Sequence, residues 1–302
     1  MNHAPWEPKM KVYLLVNPKA GGGGAVKTAR ETARILEAAG VSYDLAESAS
    51  AQDVTDRARL AARQGYDRVL VVGGDGTWHY ALNGLAHTGT VGAIVPSGRG
   101  NDFGRNLHLP GTLPETVAVA LRGQVRELDL VWTGLRHYVG VAGVGFDSEV
   151  TECANTKVPL FTGALAYTAA VFYKLFSFKP KRLRIVHDQG VFDGLVMFAV
   201  FGNSKSYGGG MFITPEAEMD DGLIDVLIVH KIGVLNLLAT MPKVFSGRHL
   251  PHPSIETLRT TRAELTSPDK MDLYGDGEYI QPVPTTLEIR PKALKVAAPP
   301  AG

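Results

Sequence analysis

The sequence is poor in three things, and each shortage removes a class of function. It has one cysteine, Cys153, in 302 residues. That excludes an internal disulfide and a zinc site built from several cysteines, and it leaves Cys153 as an ordinary buried or half-buried thiol. Its formal net charge is only +1 and it has no basic run, so no chain-wide field favours nucleic acid. Any polyanion that binds does so locally. Long apolar runs are missing too. The longest, Val158 to Tyr173, contains Pro159 and Gly163 and is stopped by Lys174, which is short for a membrane span. The opening MNHAPWEPKM lacks the basic-then-apolar order of a signal peptide. The expectation is a cytoplasmic protein with no transmembrane segment and no nucleic-acid partner, able to visit a membrane surface.

What is present is an ordinary globular composition, 45% apolar and 20% charged, rich in glycine with 34. The length suits two domains. The first part alternates strand and helix. Apolar runs Val12 to Val16, Ser42 to Ala46, Val69 to Val72 and Val91 to Val95 predict strands. Ala25 to Ala39, Asp53 to Gln64, Thr77 to Ala86, Asn101 to Leu107 and Pro114 to Leu121 predict helices. Such alternation implies a parallel sheet covered on both faces, a three-layer α/β domain. From about Val125 strands crowd together: Val125 to Val131, Tyr138 to Val141, Arg182 to His187, Leu195 to Phe201, Leu223 to Val229 and Thr286 to Ile289. This predicts a mainly antiparallel, β-sandwich-like second domain with helical inserts at Thr162 to Phe176 and Val234 to Val244. The expected domains are 1–128 and 129–287, with the tail, about 288–302, returning to the first.

Three glycine-rich loops follow strands of the first domain. NPKAGGGGAVKT, Asn17 to Thr28, fits neither a Walker A loop nor a dinucleotide fingerprint, because Val26 stands where each pattern needs glycine. It is either a flexible turn or a set of backbone N–H groups offered to an anion at a helix start. VVGGDGT places Asp75 between Gly73-Gly74 and Gly76, with Thr77 next, at the carboxyl end of a strand. Ligands gather at that edge of an α/β sheet. A carboxylate beside phosphates makes sense with a cation between them, and Mg²⁺ favours one or two carboxylates plus phosphate oxygens and water. Thr77 could cap the helix or donate to a phosphate. VPSGRGNDFGRN, Val95 to Asn106, adds Ser97, Gly98 and Gly100 as donors, Arg99 and Arg105 as cations, Asp102 as a second carboxylate and Asn101 as a helix cap. All three loops lie on one sheet edge and so predict one site.

GGDGT with NGL beyond it, then SGRGNDFGR, YGGGMFITPEAEMDDGLIDV (Tyr207 to Val226) and GDGE (Gly275 to Glu278) resemble the diacylglycerol kinase catalytic-domain family, which includes bacterial soluble lipid kinases and is similar to sphingosine and ceramide kinases. Matching segments run from Val12 to about Ile289. GGDGT also occurs in NAD kinases and phosphofructokinases; the later motifs separate the lipid kinases from them. The resemblance implies transfer of the γ-phosphoryl of Mg²⁺-bound ATP to a lipid hydroxyl, with diacylglycerol as leading acceptor. It implies ATP between the domains, held by Asn17, Gly73, Gly74, Asp75, Gly76, Thr77, Ser97, Gly98, Gly100 and Asn101, with Glu278 nearby. It implies Asp276 as general base. It further implies Asp75, Asp102 and Asp129 as acids acting through a catalytic magnesium and its waters, and a structural magnesium at Asp221 with backbone oxygens of Glu218 and Leu223. The chain departs from the family at His79-Tyr80, where many members have Asn-Glu; His79 is expected on the helix surface or at a cleft edge. A non-catalytic binding protein of the same fold and an NAD kinase-like enzyme are the alternatives.

Phe161 to Phe178 holds Leu165, Phe172 and Leu175 on one helical face, either packed on the second domain or walling an acyl-chain pocket that touches the bilayer. Lys174, Lys179, Lys181, Arg182 and Arg184 follow and suit an anionic membrane surface. An exposed strand edge of the second domain is a possible homodimer contact.

Overall fold

A computed structural model describes residues 10–146, 148 and 179–300. Cys153 and the first predicted insert, with Phe161, Leu165, Phe172, Lys174 and Leu175, lie outside the described residues. The chain divides into two compact units. One holds Met1–Gly98, His108–Arg126 and Leu294–Gly302, and the other Arg99–Leu107 and Glu127–Ala293.

In the first unit, β1 (Val12–Val16), β2 (Tyr43–Glu47), β3 (Arg68–Gly73) and β4 (Val91–Pro96) form a parallel sheet in the order β2-β1-β3-β4. The end of β15 (Thr285–Ala298) runs parallel beside β4, with Val296 opposite Gly92. Every residue of β1 and β3 is buried, as strands covered on both faces require. Helices α1 (Gly24–Ala38), α2 (Ala51–Arg63), α3 (Asp75–Leu85) and α5 (Leu113–Arg122) supply the cover. Leu14, Leu36, Leu70, Val72, Val95 and Val117 share one core cluster, and each such side chain stabilises the fold by about 1.5–3 kcal/mol. The start of α2 is fixed by a reciprocal cap: Asp53 N–H donates to Ser50 Oγ at 3.1 Å, and Ala49 N–H donates to Asp53 Oδ2 at 2.9 Å.

The second unit is antiparallel. The strands β7 (Val141–Gly145), β8 (Lys181–His187), β9 (Gly190–Gly202), β12 (Arg262–Thr266), β13 (Asp272–Gly275) and β14 (Glu278–Pro282) run β14-β13-β7-β9-β8-β12, and β12 pairs with β15. β10 (Ile224–His230) lies between β9 and β11 (Ile255–Thr260), and β5 (Gln124–Trp132) pairs with β15 and with β6 (His137–Tyr138). β8 shows the logic: Leu183 and Ile185 are fully buried while Arg182 and Arg184 alternate outward. The short α4 (Asp102–Asn106) belongs to this unit, and so does α6 (Val234–Val244), which matches its predicted bounds. The architecture is the expected one, a parallel α/β part followed by an antiparallel sandwich-like part.

Several elements differ from their sequence reading. The predicted strand Tyr138 to Val141 is two strands, interrupted at Val139-Gly140, whose N–H groups go to a side chain instead of a ladder. β15 runs well past Ile289, through Pro291. The Lys292 N–H in its bend, where φ is +53°, is taken by Asp129 Oδ1 at 2.7 Å. β11 to β14 lie outside the strands expected from the sequence, because their exposed positions carry polar residues and their buried ones are few.

Candidate active site

The first unit brings its three glycine loops together. In the first loop Gly21, Gly22 and Gly23 have φ of +59°, +67° and +95°, a left-handed path that disfavours any side chain. A Cβ on Gly21 would also stand 2.2 Å from the Ser97 carbonyl oxygen of the third loop. The second loop packs on the third just as closely, since a Cβ on Gly74 would lie 3.0 Å from Gly98 Cα. Ser97 N–H donates to the Gly73 carbonyl at 2.9 Å, and Asn17 Nδ2 donates to Thr77 Oγ1 at 2.9 Å. Asn17, Gly73 to Thr77, Ser97 and Gly98 therefore meet at the carboxyl ends of β1, β3 and β4. Ser97 Oγ is buried and has no partner among the described residues.

α3 starts earlier than its sequence suggests. Gly74 is the N-cap and Asp75 the first helical residue, so the carboxylate sits at the positive end of the helix dipole. Thr77 is thereby inside the helix and does not cap it. His79 corrects a second expectation. It is fully buried rather than on the helix surface, with its ring edge-on to Tyr80 at 5.4 Å. The reason is that α3 is covered on more than one side: a Cβ on Gly84 would fall 2.3 Å from the Thr55 carbonyl of α2, and Trp78 and Leu85 reach Gly92 of β4.

In the second unit, Gly100 and Asn101 precede α4, and Asn101 is its N-cap with a left-handed backbone, φ 52° and ψ 39°. The Asp102 carboxylate accepts the Gly209 N–H at 3.0 Å and the Gly210 N–H at 3.2 Å, and pairs with Arg105 at 2.5 Å. Asn106 adds bonds to Ser206, Nδ2 to its carbonyl at 2.8 Å and Oδ1 from its N–H at 3.3 Å. These bonds seat the 102–106 helix on the YGGG turn. Asp129 is buried, 1% exposed. Its Oδ2 accepts the Gly222 N–H at 2.7 Å, and its Oδ1 the Lys292 N–H. Asp221 precedes that glycine and accepts the Leu223 N–H at 3.0 Å; Glu218 pairs with Lys205 at 2.6 Å. Among the described residues no group of three or more His, Cys, Asp or Glu side chains stands together as a metal cluster.

Asp276 lies in the Asp-Gly-Glu turn between β13 and β14, half-buried, with φ of +52°. Val139 N–H donates to its Oδ2 at 3.1 Å and Gly140 N–H to its Oδ1 at 2.8 Å, while its own N–H donates to the Val141 carbonyl at 3.0 Å. Burial first, and the Asp276 charge second, push the Tyr138 hydroxyl well above its ordinary pKa. Val139 and Gly140 were not anticipated; a backbone donor leaves no mark in a side-chain pattern.

An apolar pocket of about 50 Å³, partly open to solvent, lies inside the second unit. Its walls include Phe146, Phe198, Met211, Leu237 and Met241, with His249 among them. His249 Nε2 is 3.1 Å from the Ile213 carbonyl, so it carries the proton, and burial holds the imidazole below its ordinary pKa against that bond. Of the predicted basic group, Arg182 is paired with Asp193 at 2.9 Å and Lys181 donates to the Lys270 carbonyl. No helix among the described residues is long and apolar enough to cross a membrane.

Residues 11–133 match the diacylglycerol kinase catalytic domain, and residues 140–298 the YegS C-terminal NAD kinase beta sandwich-like domain. A diacylglycerol kinase from Mycobacterium tuberculosis is 33% identical, with 96% of this chain and 95% of the relative covered. One from Staphylococcus saprophyticus is 29% identical over 90% of each. A Bacillus anthracis crystal structure, that of a candidate diacylglycerol kinase, superposes with a TM-score of 0.84 at 24% identity, covering 99% of both chains. The likeness to that structure speaks for the fold, the 33% relative for the family. The chain belongs to the diacylglycerol kinase family and is a kinase.

Proposed function

We propose that this chain transfers the γ-phosphoryl group of magnesium-bound ATP to a lipid hydroxyl, with diacylglycerol as first acceptor and phosphatidic acid as product. The observation that carries the reading is the convergence of the three glycine loops. Gly21 and Gly74 allow the loops a backbone approach that side chains would block, and the Ser97 hydroxyl is buried without a partner among the described residues. That is the make-up of a phosphate cradle. Asn17 and Thr77 fix its floor, and the backbone N–H groups of Gly74 to Thr77 bind phosphate oxygens.

The donor set fits a magnesium ion that arrives with the nucleotide. No multi-carboxylate cage is needed when phosphate oxygens and water fill most positions. When bound, such an ion would supply neutralisation of charge on the transferring group. Asp75 is the carboxylate on the nucleotide side. Asp102 and Asp129 accept backbone N–H bonds through their carboxylates and would hold the ion through water rather than directly. Asp276 accepts the proton of the lipid hydroxyl as the hydroxyl oxygen bonds to the γ-phosphorus and the bond from that phosphorus to the β,γ-bridging oxygen breaks, so that ADP leaves. The acyl chains occupy the apolar cavity of the second unit, and the protein meets its substrate at the membrane surface.

The test is to supply labelled ATP and Mg²⁺ with diacylglycerol, sphingosine, ceramide, phosphatidylglycerol and NAD as separate acceptors. Labelled phosphatidic acid is expected. Labelled NAD overturns the lipid reading, and no labelled product favours a binding protein.

A further inference from the structure

Asn203 is fully buried, yet its Oδ1 has no partner among the described residues. An unsatisfied buried acceptor costs stability, and the bonds made by the other polar atoms of Asn203 offset that cost. Its Nδ2 donates to the Val139 carbonyl and to the Asp129 carbonyl, both at 2.9 Å. Its backbone N–H donates to the Gly140 carbonyl at 2.8 Å. Asn203 thus binds both carbonyls of the Val139-Gly140 dipeptide. The N–H groups of the same dipeptide bind the two carboxylate oxygens of Asp276. Residue 140 is also sterically required to be glycine: a Cβ there would stand 2.6 Å from Asp276 Oδ1.

We propose that Gly140 and Asn203 are positioning residues for the base. Asn203 locks the dipeptide, and the dipeptide holds the Asp276 carboxylate in one orientation by a bond to each oxygen. The proposal rests on the reading of Asp276 as general base. It explains why the strand predicted over Tyr138 to Val141 is broken: the N–H groups that a ladder would use are spent on the carboxylate. Misplacing a base by about an ångström costs on the order of 100-fold in rate without weakening nucleotide binding.

The experiment measures kcat, KM for ATP and thermal midpoint for Gly140→Ala, Asn203→Ser, Asp276→Asn and each of the first two combined with Asp276→Asn. The expected result is a fall in kcat of about 100-fold for Gly140→Ala and about tenfold or more for Asn203→Ser, with KM for ATP within about twofold of wild type. In the Asp276→Asn background neither substitution lowers the residual rate further, because the group they position is gone. The two substitutions act from opposite sides of the clamp, so a failure of one to fold leaves the other as the test. A kcat within about twofold of wild type in a folded variant overturns the proposal, as does an equal fractional loss in both backgrounds. If Asp276→Asn alone is fully active, the base reading falls and this proposal with it. An inactive Asp276→Asn beside a fully active Gly140→Ala removes this proposal only.

Discussion

Ser97 donates its backbone N–H to the Gly73 carbonyl at 2.9 Å, while its buried hydroxyl is left without a partner among the described residues. The backbone bond ties the third glycine loop to the second, and the hydroxyl is a donor held in reserve. Ser97→Ala keeps the tie and deletes only the donor. It should leave the thermal midpoint unchanged or slightly raised, since an unsatisfied buried hydroxyl is lost. Nucleotide affinity should fall by about 0.5–1.5 kcal/mol, roughly twofold to twelvefold. Calorimetric titration of the nucleotide, alongside thermal melts, checks both halves.

Gly84 and Thr55 set the contact between α3 and α2. A methyl on Gly84 would stand 2.3 Å from the Thr55 carbonyl oxygen and 2.8 Å from Ala58 Cβ. Gly84→Ala adds helix propensity but overpacks this contact, and overpacking wins. A net loss of about 1–3 kcal/mol is expected by denaturant titration, with nucleotide affinity affected only through the position of the Asp75 loop.

His249 makes stability depend on pH. Burial lowers its folded-state pKa below the ordinary value of 6.5, so the unfolded chain takes up its proton first as pH falls. The stabilisation is complete above about pH 6.5 and is lost as pH drops from there through the lower folded pKa, with a slope of at most about 1.4 kcal/mol per pH unit. His249→Gln keeps a donor for the Ile213 carbonyl and cannot titrate. Denaturation of both proteins between pH 7.5 and 5, a range chosen around the reference value, should show the variant lacking that part of the slope.

How much of this was legible in the sequence follows from what each signal is made of. The parallel half was plain because its strands are buried on both faces and punctuated by glycine. The GGDGT and SGRGNDFGR loops stood out by composition, and the structure gives the physical reason in the closeness of Gly21 to Ser97 and Gly74 to Gly98. Elements held by cross-chain bonds were not legible. β15 passes Pro291 because Asp129, far away in sequence, takes the Lys292 N–H. The break at Val139-Gly140 exists because Asp276 takes two N–H groups. Neither partner can be inferred from neighbours along the chain. His79 was misplaced because a helix covered on more than one side has no polar face to read.

The proposed reaction turns on Asp276 taking the proton from the lipid acceptor. The most direct measurement compares wild type with Asp276→Asn for transfer of label from γ-labelled ATP to diacylglycerol in mixed micelles with Mg²⁺, with nucleotide affinity measured on the same samples. Labelled phosphatidic acid is expected from wild type, with a rate lower by about 10²–10⁴-fold in the variant at unchanged nucleotide affinity. A variant as fast as wild type, or label that never enters a lipid, would contradict it.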